Sequence, residues 1–234
     1  MMVPIPFQHI GKGVYSLAEA ERLVKIPRQR ISRWTRGYTY RYKGEAHRTP
    51  PLIACDVEPA AEKGPILSFL DLLEVRFLDA FLMHGVSRKA VRIAALNARE
   101  LLGRHHPFST RMFKTDGRSI FAEIAKGTDD KHLLDVVKNQ FVFVQVISPS
   151  LYAGIEFGES NDPQRWWPLG KKRSVVIDPE RGFGAPIVAR SGVPTRILAT
   201  AFKTEGSAEF VAKWCEVSER EVRDAVKFEE QLAA

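Results

Sequence analysis

The segment "YSLAEAERLVKIPRQRISRWTRG", residues 15–37, constrains the fold more than any other, because it specifies two short helices and the turn between them. Ser16 followed three residues later by Glu19 is a capping box, which marks the start of a helix. Leucine, alanine and valine then recur at helical spacing. Pro27 interrupts this pattern and suits the first position of a second helix, where its missing N–H costs nothing. That second helix is predicted to end at Gly37.

An aromatic and basic stretch follows the two helices. Aromatic and polar residues alternate in "YTYRYKG" (38–44), as they do in a strand, and "TPPLIAC" (49–55) is predicted to supply the return strand. Helix, tight turn, helix and hairpin is the order of a winged helix-turn-helix. The first domain is therefore predicted to span residues 1–60, with the hairpin as its wing.

The middle segment, residues 61–172, is predicted to combine a pair of helices with antiparallel strands. Residues 67–86 are apolar on nearly every side, so a helix there is expected to be mostly buried. Ser87 is expected to cap a second helix over about 88–102. Since Asp-Gly suits a type I′ turn, a hairpin is expected around Asp116-Gly117. Further short strands are expected at residues 141–147, 151–157 and 173–178.

The last segment, residues 173–234, opens with a loop rich in glycine and proline. Helices are predicted after it, at about 195–204, 207–214 and 219–231. The fold class predicted for the whole chain is α+β and mostly helical. It combines the N-terminal winged helix-turn-helix with middle helices, small antiparallel hairpins and a C-terminal helix-turn-helix.

Three stretches of the chain, residues 23–34, 83–94 and 214–225, align with one another without gaps. Each has an apolar residue before its second helix, a proline or serine at the start of that helix, and a β-branched residue further along it. Any two helices joined by a tight turn need an apolar residue that packs at the turn and a residue that starts the second helix. This explanation is favoured over true repetition, which stays open. Either way, the sequence predicts three helix-turn-helix pairs that differ in charge.

Charge is distributed unevenly along the chain. The net charge is +7 and the isoelectric point is about 9.5, which favours an anionic partner. Residues 1–48 hold ten lysines and arginines against three acids, whereas residues 205–234 hold eight acids against four basic residues. The two ends of the chain are therefore expected to have different partners.

The first helix pair is the one predicted to bind double-stranded DNA, because its second helix carries basic and amide side chains near its N-terminal half. Arginine can bind guanine through two hydrogen bonds and glutamine can bind adenine in the same way. A solvated basic helix without such a role is the plainer alternative, but the capping box and the aromatic hairpin favour DNA binding. The predicted DNA-binding residues are Arg28, Gln29, Arg30, Arg33 and Arg36 of the helix, with Arg41 and Lys43 of the wing.

The other two helix pairs are interpreted differently. The second pair is basic because of Arg88, Lys89, Arg92 and Arg99. Its first helix is strongly apolar, however, so the pair is interpreted mainly as part of the core or of a dimer surface. The third pair is mixed in charge and slightly acidic, which phosphates would repel. A protein contact suits it better.

The remaining sequence signals argue against several other classes of protein. Two distant cysteines, Cys55 and Cys215, allow no disulfide framework, and the six histidines show no metal-binding spacing. No phosphate-binding, hydrolase or metalloprotease motif is present, so no enzyme, metal or cofactor is expected. The sequence has no signal peptide and no apolar run long enough for a membrane span, so a cytoplasmic protein without a membrane partner is expected.

Two parts of the chain resemble known families. "YSLAEAERLVKIPRQRISRWTRG" and the wing after it are similar to the DNA-binding domain of MerR-type regulators, including the aromatic residue at Tyr15. The C-terminal segment resembles a small helical domain found in prokaryotic antitoxins. Its matching motifs are Asp178-Pro179, Gly184 to Val188, Gly192-Val193-Pro194 and Val222 to Ala225. Together the two parts are similar to the larger VapB-type antitoxins.

The resemblance implies the antitoxin of a type II toxin–antitoxin pair, with no enzymatic activity. It implies a homodimer that binds the pair's own operator DNA and represses its transcription, and a more C-terminal surface that neutralises a PIN-like ribonuclease toxin. Two alternatives stay open. A stand-alone MerR-like transcription regulator that senses a ligand requires a sizeable apolar pocket within residues 66–175. A nuclease requires carboxylates clustered in a cleft, for which the sequence gives no support.

Overall fold

The computed structural model describes residues 11–53, 55–56, 65–115 and 148–233. The described residues fall into two compact units. The N-terminal unit lies within Ser16–Tyr152 and Phe157–Pro163, and the C-terminal unit lies within Met1–Tyr15, Ala153–Glu156 and Gln164–Ala234. Within these described ranges, every helix is too short or too polar to cross a membrane. The division of the chain at residues 60 and 172 stays a prediction.

Among the described residues of both units, more lie in helices than in strands, and the predicted α+β, mostly helical class is confirmed. The longer helices are α1 (Leu17–Val24), α2 (Arg28–Arg36), α3 (Phe69–Met83), α4 (Arg88–Leu102), α5 (Thr195–Glu205), α6 (Ala208–Trp214) and α7 (Glu219–Ala233). The strands are β1 (Tyr15–Ser16), β2 (Tyr38–Tyr42), β3 (Glu45–Thr49), β4 (Ile66–Leu67), β5 (Ile155–Phe157), β6 (Pro163–Trp166), β7 (Val175–Ile177) and β8 (Pro186–Val188). Short helical turns occupy Pro107–Ser109, Ser148–Leu151 and Gly182–Gly184.

Helix α1 begins and ends through local hydrogen bonds. The Ser16 hydroxyl accepts a bond from the Glu19 amide at 3.2 Å, and the Glu19 carboxylate accepts one from the Ser16 amide at 2.9 Å. The predicted capping box is therefore confirmed. Lys25, with φ of +58°, ends the helix by donating its amide to the Glu21 carbonyl.

Helix α2 follows after a tight turn, as predicted. Pro27 is its N-cap rather than its first residue, so the predicted position was wrong by one. The Pro27 carbonyl accepts hydrogen bonds from the amides of Arg30 and Ile31, at 2.8 and 3.1 Å, and so opens the helical bonding pattern. The helix ends before Gly37, as predicted.

The wing is a hairpin of β2 and β3, but its return strand differs from the one expected. Strand β3 begins at Glu45, directly after a two-residue turn at Lys43 and Gly44, where φ is +50° and +88°. The pairing runs from Tyr42 opposite Glu45 to the base of the hairpin. The predicted return strand at 49–55 was therefore wrong, because a two-residue turn brings the chain back at once and the prolines after Thr49 lack the N–H that would continue pairing.

Beyond the two prolines the chain returns to helix α2. The amides of Leu52 and Ile53 both donate to the carbonyl of Trp34, at 2.7 and 3.1 Å. Leu52, Ile53 and Trp34 are all buried. The segment after the hairpin is thus hydrogen-bonded to the C-terminal turn of α2. These bonds fix the position of the wing relative to α2.

Helices α3 and α4 form the buried pair expected in the middle of the chain. Ser68 and Asp71 make a capping box at the start of α3, most of which is buried. Ser87 caps α4 by accepting a hydrogen bond from the Ala90 amide at 3.2 Å. The buried face of α4 consists of alanines and Val91, whereas Leu101 at its end is exposed.

The prediction of a hairpin around Asp116-Gly117 was wrong for its first strand, since residues 111–115 are helical. The cause is a cap: the Thr110 hydroxyl accepts a hydrogen bond from the Phe113 amide at 3.1 Å, which starts a helical turn. Asp116-Gly117 itself and the strand expected at 141–147 lie outside the described residues. Of the strand expected at 151–157, only β5 is present.

The C-terminal unit packs three helices against a four-stranded sheet of order β5-β6-β7-β8. Strand β7 pairs antiparallel with β6 and with β8. It lies within the strand predicted at 173–178. The three predicted tail helices are confirmed as α5, α6 and α7. Their shared core, together with strand β8, contains Val188, Leu198, Val211, Ala212, Val217, Val222 and Ala225.

The third helix pair is capped by an ionised carboxylate. Glu221 accepts hydrogen bonds from the amide and the hydroxyl of Ser218, at 2.6 and 2.9 Å, and pairs with Arg190 at 3.3 Å. Burial raises the pKa of Glu221, but the bonds from Ser218 and Arg190 outweigh this and hold the pKa below its usual value. The carboxylate therefore stays charged and fixes the start of α7.

Replacing Gly37 by alanine tests how the wing is joined to α2. An added Cβ at Gly37 would lie 2.2 Å from the Thr49 carbonyl oxygen, and the φ of +71° with ψ of −173° is strained for any residue with a side chain. We expect Gly37→Ala to lower the free energy of unfolding by about 3 kcal/mol or more, measured by urea denaturation followed by circular dichroism.

Gly44→Ala is the matched control, because Gly44 also has positive φ but an added Cβ there meets nothing within 4 Å. We expect it to cost about 1 kcal/mol, from backbone strain alone. Equal losses for the two variants would contradict the close approach of Gly37 to the base of the wing.

Candidate nucleic-acid interface

Helix α2 presents its polar face to solvent because two residues anchor its opposite side. Ile31 and Trp34, three residues apart, are both buried. The predicted DNA-binding residues of this helix all lie on its exposed surface: Arg28, Gln29, Arg30, Arg33 and Arg36. Their mutual placement therefore matches what a helix entering a groove requires. Their role in binding DNA stays a prediction.

The arginines of α2 differ in their surroundings. Arg30 pairs with Asp79 of helix α3 at 2.8 Å, so part of its charge is already compensated. Arg28 lies 3.9 Å from Glu21, in an exposed and weak pair. Arg33 lies over the ring of Tyr38, 5.7 Å from its centroid, where helix meets wing. Among the predicted residues, Arg33 is thus the one held at the junction of helix and wing.

The two predicted wing residues lie near the turn of the hairpin. Arg41 is opposite Ala46 in the pairing and is exposed. Lys43 occupies the turn and places its ammonium 5.5 Å from the ring of Tyr42. The hairpin therefore carries its predicted cations towards its tip, whereas Tyr38 lies at its base beside α2.

Two further arginines, assigned from the sequence to a core or dimer surface, lie beside the predicted site. Arg88 and Arg92 of helix α4 line a polar cavity of about 290 Å³ together with Gln29, Arg30 and Arg33 of α2. Four guanidinium groups from two helices thus surround one depression. Arg88 and Arg92 are one helical turn apart, which is visible in the sequence. Their approach to α2 depends on tertiary packing, so sequence patterns alone did not indicate it.

Helix α4 also holds the base of the wing through its arginines. Arg88 donates to the Tyr38 hydroxyl at 3.2 Å, and Arg92 donates to the Pro50 carbonyl at 2.6 Å. Further along the helix, Arg99 donates to the Leu52 carbonyl at 3.3 Å. These charge-assisted bonds fix the segment around the two prolines, which offers carbonyls and lacks amides. The second helix pair is therefore part of the structure that positions the wing.

The cluster of cations changes the acidity of Tyr38. A hydrogen bond from Thr49 has the largest effect on its pKa, and the positive charges of Arg88 and Arg33 act in the same direction. Together they outweigh burial and lower the pKa of Tyr38 below its usual value. The base of the wing is thus a region of positive potential that favours an anion.

Comparison with known proteins agrees with this arrangement. Residues 13–95 match a family described as "Putative DNA-binding HTH domain". The match starts before α1 and ends within α4, so it includes α3 and the first half of α4 as well as α2 and the wing.

Similarity to single proteins extends over nearly the whole chain. A Mycobacterium tuberculosis protein named "Putative antitoxin VapB45" is 26% identical over 223 residues, which cover 91% of this chain and 92% of that protein. The X-ray crystal structure of Rv2018 from Mycobacterium tuberculosis is 23% identical and superposes with a TM-score of 0.66, covering 91% of this chain and 96% of the other. The latter shows a shared fold. The predicted resemblance to a VapB-type antitoxin with an N-terminal helix-turn-helix is confirmed.

Titration of Tyr38 tests the positive potential at the base of the wing. We expect ultraviolet absorbance to show a phenol ionising below pH 10, the usual tyrosine value, and this signal to disappear in Tyr38→Phe. The hydrogen bond from Thr49 has the largest effect on the pKa of Tyr38. Thr49→Val is therefore expected to move the ionisation of Tyr38 to higher pH by more than Arg88→Met does. Unchanged titration in Thr49→Val and Arg88→Met would contradict the proposed contacts.

Proposed function

We propose that this protein is the antitoxin of a type II toxin–antitoxin pair and acts in the cytoplasm without enzymatic activity. As a homodimer it binds the pair's operator DNA and represses transcription, and it neutralises a PIN-like ribonuclease toxin. The observation that carries the DNA-binding part is the exposed basic face of α2, anchored from behind by Ile31 and Trp34 and flanked by a wing. The similarity to an antitoxin over 91% of the chain supports the toxin-binding part.

Helix α2 is the proposed recognition helix. Gln29 and Arg33 lie one turn apart on its exposed face and suit adenine and guanine edges in the major groove. Arg88 and Arg92, at the cavity beside α2, suit backbone phosphates, which fix a protein on the duplex without reading sequence. Arg41 and Lys43 near the wing tip are proposed to bind phosphate or the adjacent minor groove.

A homodimer of such domains would bind two half-sites related by two-fold symmetry. The spacing expected for two recognition helices is about one helical turn of DNA, roughly 34–36 Å. Since several of the proposed contacts are to phosphate, binding should weaken steeply as salt rises.

The toxin-binding surface is proposed to lie on the C-terminal unit. Ile197 of α5 is 50% exposed, and Phe210 and Trp214 of α6 are 54% and 67% exposed. Ile197 and Trp214 line one apolar depression of about 410 Å³. Large apolar side chains grouped on a surface are typical of protein–protein contacts, and tryptophan frequently dominates their binding energy.

Removing the Arg33 side chain tests the DNA-binding part of the proposal. We expect Arg33→Ala to weaken binding of the full chain to the DNA upstream of its own gene by about tenfold or more, as loss of a base-contacting arginine does. The measurement is fluorescence anisotropy at fixed salt. Asp79→Asn, which removes the acid paired with Arg30, is expected to strengthen binding.

The matched control is Arg223→Ala, which removes another exposed arginine, from helix α7 of the C-terminal unit. We expect this variant to bind DNA as the unaltered protein does. Equal affinities of Arg33→Ala and Arg223→Ala would remove α2 from the proposed DNA contact.

Co-expression tests the toxin-binding part. We expect the unaltered chain to restore growth of cells that express the ribonuclease encoded beside it, and Trp214→Ser to lose this rescue while retaining DNA binding. Leu96→Ser is the control, since Leu96 is a comparably exposed apolar residue on α4. DNA binding with no rescue by the unaltered chain would instead favour a stand-alone transcription regulator.

A further inference from the structure

Three potential metal ligands that are distant in sequence converge in the N-terminal unit. Asp56 lies after the segment that closes the wing, Asp71 lies in the first turn of α3, and His106 lies in the loop after α4. One ligand atom from each lies within 4.8 Å of the other two. Asp71 is fully buried, and His106 is only 4% exposed.

The distances within this cluster suit ligands of a common ion. His106 Nε2 lies 3.1 Å from an Asp56 carboxylate oxygen and 3.5 Å from Asp71 Oδ1. Nitrogen and oxygen ligands lie about 2.0–2.2 Å from zinc, so neighbouring ligands of one ion are separated by about 3.0–3.5 Å. The two distances from Nε2 already have these values, and all three ligand atoms lie within 4.8 Å of one another.

The cluster also contains buried polar atoms that lack hydrogen bonds. Among the described residues, Asp71 Oδ1 and both ring nitrogens of His106 have no hydrogen-bond partner. The contacts of Nε2 with the two carboxylates are therefore close but not oriented as hydrogen bonds. A buried polar atom without a partner destabilises the fold unless something satisfies it. A cation placed between the three groups would satisfy Asp71 Oδ1 and Nε2 together.

Neighbouring groups hold the two carboxylates in place. Asp71 Oδ2 accepts hydrogen bonds from the amides of Ser68 and Asp56, at 2.8 and 3.3 Å. The Ser68 hydroxyl donates to Asp56 at 2.9 Å. Such outer contacts orient the ligands of known metal sites. Because these bonds leave Asp71 Oδ1 directed towards His106, the arrangement is fixed before any ion enters.

The local field favours a cation. Two carboxylates, those of Asp56 and Asp71, lie 3.1 and 3.5 Å from the imidazole of His106. Their negative charges attract a metal ion to this position. The Asp56 side chain is 24% exposed, which leaves a route from solvent.

We propose that Asp56, Asp71 and His106 bind one divalent transition-metal ion. Two carboxylates and an imidazole suit Zn²⁺, Mn²⁺, Fe²⁺ or Co²⁺, and three protein ligands leave coordination positions for water. The bound ion joins the segment after the wing to α3 and to the loop after α4. It therefore stabilises the unit that carries the basic face of α2. This site does not depend on the proposed antitoxin function.

Metal titration of the full chain tests the site. The protein is stripped of metal with a chelator, freed of any affinity tag, and titrated with Co²⁺ while visible absorption is recorded. We expect one Co²⁺ per chain with ligand-field bands, displaced by Zn²⁺. We also expect the Tm to rise by about 5–10 °C at a free Zn²⁺ concentration one hundred times the Kd.

Single substitutions distinguish this site from surface binding. His106→Gln and Asp71→Asn are expected to lose the Co²⁺ bands and the rise in Tm. His105→Gln is the matched control, because the adjacent His105 is exposed, and it is expected to retain both. Asp56→Asn alters the partly exposed ligand. If His106→Gln fails to fold, loss of the Co²⁺ bands in Asp56→Asn is the result that supports the site.

Two outcomes would overturn the proposal. One is a metal-free chain that takes up neither Co²⁺ nor Zn²⁺. The other is uptake that persists in both Asp71→Asn and Asp56→Asn. Either result would identify the cluster as a buried polar arrangement that binds no metal.

Discussion

The carbonyl of Trp34 joins helix α2 to the segment that follows the wing. It accepts hydrogen bonds from the amides of Leu52 and Ile53, which lie beyond the hairpin in sequence. A buried carbonyl has two lone pairs, and both are used here. Since Trp34, with Ile31, is also one of the two buried side chains that anchor α2, the same residue holds the helix and the end of the wing. The exposed basic face of α2 is a consequence of this arrangement.

Helix α4 completes the arrangement from outside the wing. Three of its arginines, Arg88, Arg92 and Arg99, donate to Tyr38, Pro50 and Leu52 at the base of the hairpin. Two of these arginines, Arg88 and Arg92, also line the cavity next to α2. Structural support and positive potential thus come from the same side chains. The match of residues 13–95 to a family described as a putative DNA-binding domain extends from α1 into α4 and so includes Arg88 and Arg92.

Local rules predicted the helices well and tertiary contacts poorly. Capping residues such as Ser16 and Ser87 act within one turn, so the starts of α1 and α4 were evident in the sequence. The return strand was misplaced because the turn at Lys43 and Gly44 was not recognised. The approach of Arg88 and Arg92 to α2, and the meeting of Asp56, Asp71 and His106, depend on packing between distant segments. No spacing in the sequence indicates them.

A crystal structure of the full chain bound to the DNA duplex upstream of its gene tests the central claim most directly. The expected result is helix α2 in the major groove, with Gln29 and Arg33 at base edges and Arg88 and Arg92 near phosphates. Two copies of the chain should occupy half-sites about one helical turn apart. A complex in which DNA contacts another surface while α2 faces solvent would contradict the account.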